Sequence, residues 1–144
     1  MTIDNRNTKT NTWGDVKGKL TILWIFLTVN YIFCDVLSNM EPEFFKALMT
    51  GGQGAGLQIN QRFLLASAVL MEIPMVMIVL SWVLKYRANR WANIIVGMIM
   101  AAVQVLSLFT GTPPTLHYIF YSIIEIGCTL FIVWYAWKWR NDET

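Results

Sequence analysis

Residues 63–84 read FLLASAVLMEIPMVMIVLSWVL, an almost wholly apolar stretch with one carboxylate, Glu72, and one proline, Pro74, near its middle. A helix needs about 20 apolar residues to cross the hydrocarbon core of a bilayer, so this stretch is long enough to span it. An ionisable side chain at that depth costs on the order of 3 kcal/mol on insertion scales and usually has a partner. The stretch therefore predicts a membrane helix with a candidate site at Glu72.

The composition of the whole chain also indicates a membrane protein. Hydrophobic residues make up 56% of its 144 residues and charged residues only 14%, whereas a soluble domain usually carries about 25% charged residues. The formal net charge of +2 is too small and too dispersed to indicate a nucleic-acid partner. We expect the lipid bilayer to be the main partner, in the plasma (inner) membrane.

The apolar segments predict an all-α fold, a four-transmembrane-helix bundle with up-down topology. A polar cytoplasmic tail covers residues 1–18, and the four-helix membrane domain covers residues 19–140. A short interfacial helix is expected at about 42–50, followed by a glycine-rich connection that is either a lid or a plain linker. The four spans are predicted at about 19–40, 63–84, 91–110 and 116–137.

The basic residues predict the orientation of the bundle. The connection between the first two spans holds only Lys46 and Arg62, and the connection between the last two holds no Lys or Arg. The other basic residues lie in the tail, in the middle connection and at the C-terminus: Arg6, Lys9, Lys17, Lys19, Lys85, Arg87, Arg90, Lys138 and Arg140. Since Lys and Arg favour the cytoplasmic side, both termini are predicted to be cytoplasmic.

Polar side chains follow one face of the first span. Trp24, Thr28, Tyr31, Asp35 and Ser38 are separated by four, three, four and three positions. This spacing places them on the same side of a helix, and a lipid-facing helix has no need of such a face. We expect this face to point into the bundle.

The third and fourth spans carry similar faces. Gly97 and Ala101 form a small-xxx-small pair that permits close helix contact, so a homodimer is a candidate assembly. On the third span the polar face contains Asn93, Gly97, Met100, Gln104 and Ser107. On the fourth it contains His117, Tyr121, Glu125 and Cys128.

The acidic residues are predicted to lie in one half of the bundle. With a rise of about 1.5 Å per residue, Glu72 and Glu125 are each about 13 Å below the outer boundary. Asp35 is about 7 Å deep, Gln104 about 9 Å and Asn30 about 15 Å on the same count. These depths predict a pocket that opens to the outside, and Tyr31, Tyr121 and His117 are expected to line it.

No Lys or Arg lies at that depth, so the three carboxylates cannot all be ionised without another positive charge. They can be protonated and hydrogen-bonded to Tyr31, Asn30 or Gln104, they can take up and release protons, or a cation can complete the site. The first hypothesis is therefore binding or transport of a small cationic or amphiphilic molecule, with proton coupling if both compete for one carboxylate. Its cation–π partners would be Tyr31, Tyr121 and Trp24.

An accessory or assembly membrane subunit is the alternative hypothesis. In it, Glu72 and Glu125 are protonated and hold the bundle together by interhelical hydrogen bonds. No cofactor is expected, no catalytic residue is assigned, and no metal-ligand spacing is present, although Asp35, Glu72, Glu125 and His117 could be imagined around an ion. Cys34 and Cys128 form no CxxC motif.

Three stretches carry a resemblance to known proteins: LWIFLTVNYIFCDV, LMEIPMVMIVLSWVLKYRANRWANII and IFYSIIEIGCTLFIVWYAWKW. They resemble a family of small bacterial four-helix integral membrane proteins of unknown function, over residues 17–140. A looser likeness is to the sigma-2 receptor and emopamil-binding-like proteins, carried by Asp35, Glu72 and Pro74. That likeness implies a sterol- or amine-binding bundle, whereas the first resemblance implies no activity.

Overall fold

The protein is all-α in its computed structural model, which describes residues 5–50, 60–109 and 113–139 and gives side-chain surroundings from Gly14 onward. The predicted glycine-rich connection, residues 51–56, lies outside the described residues. The described part contains five helices: α1 Asn5–Met40, α2 Pro42–Met49, α3 Gln61–Val83, α4 Tyr86–Ser107 and α5 Leu116–Lys138.

Four of the five helices are long and apolar enough to cross a membrane. The spans are Gly14–Met40, Gln61–Val83, Tyr86–Ser107 and Leu116–Lys138. The short helix α2 follows Met40 and has no buried residue. The length and composition of these helices therefore indicate a membrane protein.

Helix α1 begins at Asn5, well before the predicted start at residue 19. The polar segment contains no proline, so a helix that forms in the apolar span can extend into it. Helix α4 begins at Tyr86, so most of the basic stretch after α3 belongs to its first turns. Leu84 and Lys85 alone connect α3 to α4, and both have extended backbone.

Local sequence signals mark the starts of α2 and α3. The Asn60 side chain caps α3 by accepting a hydrogen bond from the Phe63 backbone N–H at 2.9 Å. Pro42 occupies the first turn of α2, where its missing N–H removes no helical hydrogen bond. Pro74 lies inside α3 and is buried, so the proline faces a neighbouring helix while Glu72 is exposed.

Helix α1 is the centre of the bundle, because it packs against α3 on one side and against α5 on the other. Helix α4 packs along α5, whereas α3 and α4 contact each other little. The buried face of α1 forms most of the apolar core with Met77, Met100 and Ile132. The hydrophobic residues of that face are Leu20, Trp24, Leu27, Tyr31 and Cys34.

The buried face of α1 includes the first three residues of the predicted polar face, Trp24, Thr28 and Tyr31. Asp35 is exposed and Ser38 is half-buried, so the last two residues of the predicted polar face are less covered than the first three.

Glycine sets the distance between α4 and α5. A Cβ atom at Gly97 would lie 2.7 Å from Val133 Cγ2 and 3.5 Å from the Thr129 carbonyl oxygen. Gly97 and Ala101 are both buried, so the small-residue pair packs within this chain. A close helix pair of this kind gains stability from van der Waals contact.

Candidate functional site

Glu125 is the most unusual side chain of the bundle. It lies in the middle of α5 and has 0% of its surface exposed. Neither of its carboxyl oxygens has a hydrogen-bond partner among the described residues. A buried polar group without a hydrogen bond costs roughly 1–3 kcal/mol, and an unpaired buried charge costs more. Among the described residues, no side chain or backbone group therefore satisfies the Glu125 carboxyl group.

Tyr31 of α1 provides a second buried group of the same kind. Its hydroxyl oxygen also has no hydrogen-bond partner among the described residues, and only 6% of the residue is exposed. The hydroxyl is close enough to Glu125 for an electrostatic interaction. Elsewhere in the described part, Arg90 Nε is the remaining buried side-chain atom without a partner. Helices α1 and α5 thus each contribute one buried polar group without a hydrogen-bond partner among the described residues.

Asp35 connects this buried pair to the surface. It lies one helical turn beyond Tyr31 on α1, is exposed, and is close enough to Glu125 to interact with it electrostatically. The nearest basic residues along α1, α4 and α5 lie toward the helix ends, since residues 20–45 and 91–137 contain no Lys or Arg. No basic side chain within these two ranges is therefore available to pair with the two carboxyl groups.

A hydrogen-bonded chain of neutral side chains lies beside Glu125, between α4 and α5. Gln104 Nε2 donates to Ser122 Oγ at 3.0 Å, and Ser107 Oγ donates to the Gln104 carbonyl oxygen at 2.7 Å. The Tyr118 hydroxyl donates to Ser107 Oγ at 2.7 Å. Ser122 is one turn before Glu125 on α5. The predicted site residue Gln104 therefore lies near this part of α5, and its side-chain amide is hydrogen-bonded to Ser122.

Tyr118 interacts with the acidic residues although it was not among the predicted site residues. Electrostatic interactions connect it to Glu125, Asp35 and Tyr31. Its sequence signal was its position one turn before Ser122 and two turns before Glu125 on α5. The predicted aromatic neighbour Tyr121 is half-buried and packs edge-to-face on Phe120, with ring centroids 5.7 Å apart.

His117 and Asn30 have local partners of their own. His117 Nε2 lies 3.4 Å from Ser38 Oγ, and His117 Nδ1 lies 3.0 Å from Thr115 Oγ1. These contacts connect α1 to the start of α5 at the α2 end of the bundle. Asn30 Nδ2 donates to the Phe26 carbonyl oxygen of its own helix at 2.8 Å, so its amide satisfies a local bond.

Glu72 lies apart from Glu125. It is exposed on α3, and α3 has no packing contact with α5 among the described residues. It belongs to the wall of an open groove of about 330 Å³ between α3 and α4. The other lining residues are apolar: Val69, Ile73, Val76, Met77, Leu80 and Val96. The two glutamates, similar in estimated depth, therefore have different surroundings.

Trp24 belongs to a polar cluster at the other end of the bundle, next to the α3–α4 connection. Trp24 Nε1 donates to Asn93 Oδ1 at 2.7 Å, and Ser81 Oγ donates to the same oxygen at 3.3 Å. Asn93 Nδ2 donates to Asn89 Oδ1 at 2.6 Å, and Asn89 Nδ2 donates to the Ser81 carbonyl oxygen at 2.6 Å. The cluster joins α1, α3 and α4. In both Asn89 and Asn93, the side-chain nitrogen donates a hydrogen bond and the side-chain oxygen accepts one.

Sequence reasoning missed most of this cluster. The available signal was the Asn89–Asn93 pair, four residues apart and thus on one helical face. The predicted third span begins at about residue 91, so Asn89 falls in the basic connection before it and outside the predicted polar face. Because α4 begins at Tyr86, Asn89 is helical and buried.

No group of three or more His, Cys, Asp or Glu side chains that could hold a metal ion is found within the described ranges. Both cysteines are free, and Cys128 Sγ donates weakly to the Leu23 carbonyl oxygen at 3.8 Å. The described site thus consists of carboxyl, phenol and amide groups. Such groups bind protons and cations and can form hydrogen bonds with water.

The sequence model of a family of unknown function, DUF6326, matches residues 8–144, so the chain belongs to that family. No match was found among the curated proteins or among the solved structures.

Proposed function

We propose that this protein is an integral protein of the plasma (inner) membrane that binds a small cationic or amphiphilic molecule at Glu125, in exchange for a proton. Its four spans would alternate in up-down order, with both termini in the cytoplasm. The single observation that carries the proposal is the buried Glu125 carboxyl group, neither of whose oxygens has a partner among the described residues.

The energetics of burial support a positively charged partner. An ionised carboxylate away from water is stable only beside a positive charge, so Glu125 must bind a proton or another cation. The central parts of the spans, residues 20–40, 63–83, 91–107 and 116–137, contain no Lys or Arg for this role. A protonated Glu125 is neutral, and a cation that displaces the proton leaves the site neutral as well. Exchange of the proton for the cation keeps the net charge of the site constant. Binding therefore leaves no unbalanced charge in the low-dielectric interior of the bundle.

The aromatic groups around Glu125 support a cation of organic character. Tyr31 and Tyr118 both interact electrostatically with the carboxylate, and they come from different helices. The face of a tyrosine ring attracts an ammonium or phosphonium group with about 0.5–2 kcal/mol. The unpartnered Tyr31 hydroxyl can in addition accept a hydrogen bond from a protonated amine.

The position of Asp35 supports entry of a cation to the Glu125 site from the α2 end of the bundle. Because it is exposed and interacts electrostatically with Glu125, an approaching cation meets Asp35 first. The distribution of Lys and Arg favours an outside position for the α2 end, so the site would open outward. The likeness to sigma-2 receptor and emopamil-binding-like proteins points to the same ligand class, sterol-like or lipophilic amines.

A second candidate function is that of an accessory or assembly subunit without a ligand. It is favoured by the Trp24–Asn93 cluster, in which buried polar side chains join three helices by hydrogen bonds. If Glu125 served the same purpose, its protonated carboxyl group would donate a hydrogen bond within the bundle or to a partner protein. Its two oxygens would then stabilise the fold and bind no cation.

Thermal unfolding in detergent distinguishes the two functions. Wild type, Glu125→Gln and the matched variant Glu72→Gln are compared with and without tetraphenylphosphonium and a panel of lipophilic amines. A ligand present at 100 times its dissociation constant stabilises the folded state by about 2.7 kcal/mol. We expect this stabilisation in wild type and Glu72→Gln, and its loss in Glu125→Gln.

Asp35→Asn provides a further comparison. It removes the exposed charge while Glu125 is kept, so we expect weaker but measurable stabilisation by the same cations. If none of these cations stabilises wild type, or if Glu125→Gln responds like wild type, binding at Glu125 is contradicted and the accessory function is favoured.

A further inference from the structure

Helix α3 presents a regular seam of exposed side chains. Val69, Glu72, Val76, Val79 and Val83 follow one another at intervals of three, four, three and four residues. All five are exposed, the valines by 42–68% of their surface. A 3.5-residue repeat of this kind is the pattern by which two helices pack along their length with a left-handed crossing.

Helix α3 is also the least covered of the four spans. Only 11% of its most apolar stretch is buried, against 28–33% in the other spans. It packs on α1 through the opposite face, which contains Pro74, Met77 and Ser81. The groove of about 330 Å³ between α3 and α4 continues from the seam, because Val69, Glu72 and Val76 belong to both.

Exposure to lipid does not account for Glu72. Valine is as stable against lipid as against another helix, but a carboxyl group in the hydrocarbon region needs a hydrogen-bond partner. Residues 63–84 contain no Lys or Arg, and α3 does not reach Glu125 among the described residues. No described residue supplies a partner for Glu72, so a neighbouring molecule is a candidate source of one.

We propose that the α3 seam is the interface with a second copy of this chain. Two copies inserted in the same direction are related by a twofold axis along the membrane normal, so each residue faces its own copy at the same depth. Glu72 then meets Glu72. Two protonated carboxyl groups are neutral and self-complementary, since each offers one hydrogen-bond donor and one acceptor.

The valines fit this partner. A β-branched side chain has few rotamers to lose, so a valine seam packs against its copy at little entropic cost. Close approach through small side chains is the means by which membrane helices gain contact. The small-residue pair Gly97–Ala101 is already used against α5, so α4 does not offer that surface to a second copy. The interface does not depend on the proposed function, because it involves neither Glu125 nor Tyr31.

Disulfide formation tests the geometry in native membranes. In a chain with Cys34 and Cys128 replaced by Ala, Val76→Cys is compared with Ile123→Cys on α5, which is 67% exposed. Both variants retain Glu72, so this comparison does not depend on a Glu72 substitution that could prevent folding. We expect copper-phenanthroline to form a disulfide-linked dimer with Val76→Cys much faster than with Ile123→Cys. Equal rates would overturn the proposal.

Single-molecule photobleaching in bilayers tests the role of Glu72. Glu72→Gln keeps a self-complementary hydrogen-bonding group, whereas Glu72→Leu removes it. We expect Glu72→Gln to dimerise like wild type and Glu72→Leu to have a dissociation constant about 3- to 30-fold higher. Wild type that is monomeric at every density, or Glu72→Leu that dimerises as well as wild type, overturns the proposal. A monomer whose binding of tetraphenylphosphonium is lost in Glu72→Leu also overturns it, in favour of a ligand in the groove.

Discussion

The hydroxyl of Tyr31 on α1 and the carboxyl group of Glu125 on α5 are both buried, lie within electrostatic reach of each other, and have no hydrogen-bond partner among the described residues. Neighbouring polar groups in the bundle are satisfied, as the Gln104–Ser122 bond of 3.0 Å shows. The contrast between this pair and its surroundings is the basis of the proposed cation site.

Removing the Tyr31 hydroxyl is expected to leave the fold intact. Because the hydroxyl has no partner among the described residues, Tyr31→Phe should keep or raise the free energy of unfolding, by up to about 1–3 kcal/mol. The matched variant is Tyr118→Phe, whose hydroxyl donates to Ser107 at 2.7 Å. That change should lower the free energy of unfolding by about 0.5–1.5 kcal/mol in reversible unfolding in mixed micelles. An equal loss in both variants would mean that the Tyr31 hydroxyl has a partner in the folded protein.

The Asn93 cluster should contribute strongly to stability and not at all to cation binding. Asn93→Leu removes the acceptor of Trp24 and Ser81 and leaves buried donors unsatisfied. We expect the free energy of unfolding to fall by about 2–4 kcal/mol. The control Asn30→Leu removes only a bond within one helix and should change it by about 0.5 kcal/mol. If tetraphenylphosphonium no longer stabilises a folded Asn93→Leu protein, the two ends of the bundle are coupled and the separation proposed here is contradicted.

The amphipathic faces of the spans could be predicted from residue spacing alone. Trp24, Tyr31 and Gln104 were expected on inward faces and are buried. Spacing along one helix does not say how two helices are rotated against each other, however. Glu72 and Glu125 have nearly the same estimated depth, yet Glu72 is exposed on α3 and Glu125 is enclosed by the bundle. Depth follows from rise per residue, while burial depends on which helices become neighbours.

The polar cluster shows a second limit of sequence reasoning. A stretch of basic residues after an apolar span usually indicates a connection, and residues 85–90 are such a stretch. The predicted connection therefore includes Asn89, which excludes it from the polar face of the third span. In the structure, Leu84 and Lys85 suffice as the connection and the helix resumes at Tyr86. The hydrogen bonds of Asn89 to Ser81 and Asn93 depend on this early start.

Close packing at Gly97 gives a prediction on the α4–α5 contact. Gly97→Ala would bring a Cβ to 2.7 Å from Val133 Cγ2, so we expect a loss of about 1–3 kcal/mol in the free energy of unfolding. Gly127→Ala is the control, because no atom lies within 4 Å of its Cβ position. That change should stabilise α5 by about 0.5–1 kcal/mol. Val133→Ala combined with Gly97→Ala should recover most of the loss, and a purely additive double variant would contradict direct contact.

Exchange of a proton for a cation at Glu125 is the central step of the proposed function. The direct measurement is proton release when tetraphenylphosphonium, which carries a permanent charge and no titratable proton, is added to the purified protein in weakly buffered detergent. We predict that wild type and Glu72→Gln acidify the solution in proportion to the cation bound, and that Glu125→Gln does not. Cation binding without proton release in wild type, or equal release in Glu125→Gln, would contradict the assignment of the site to Glu125.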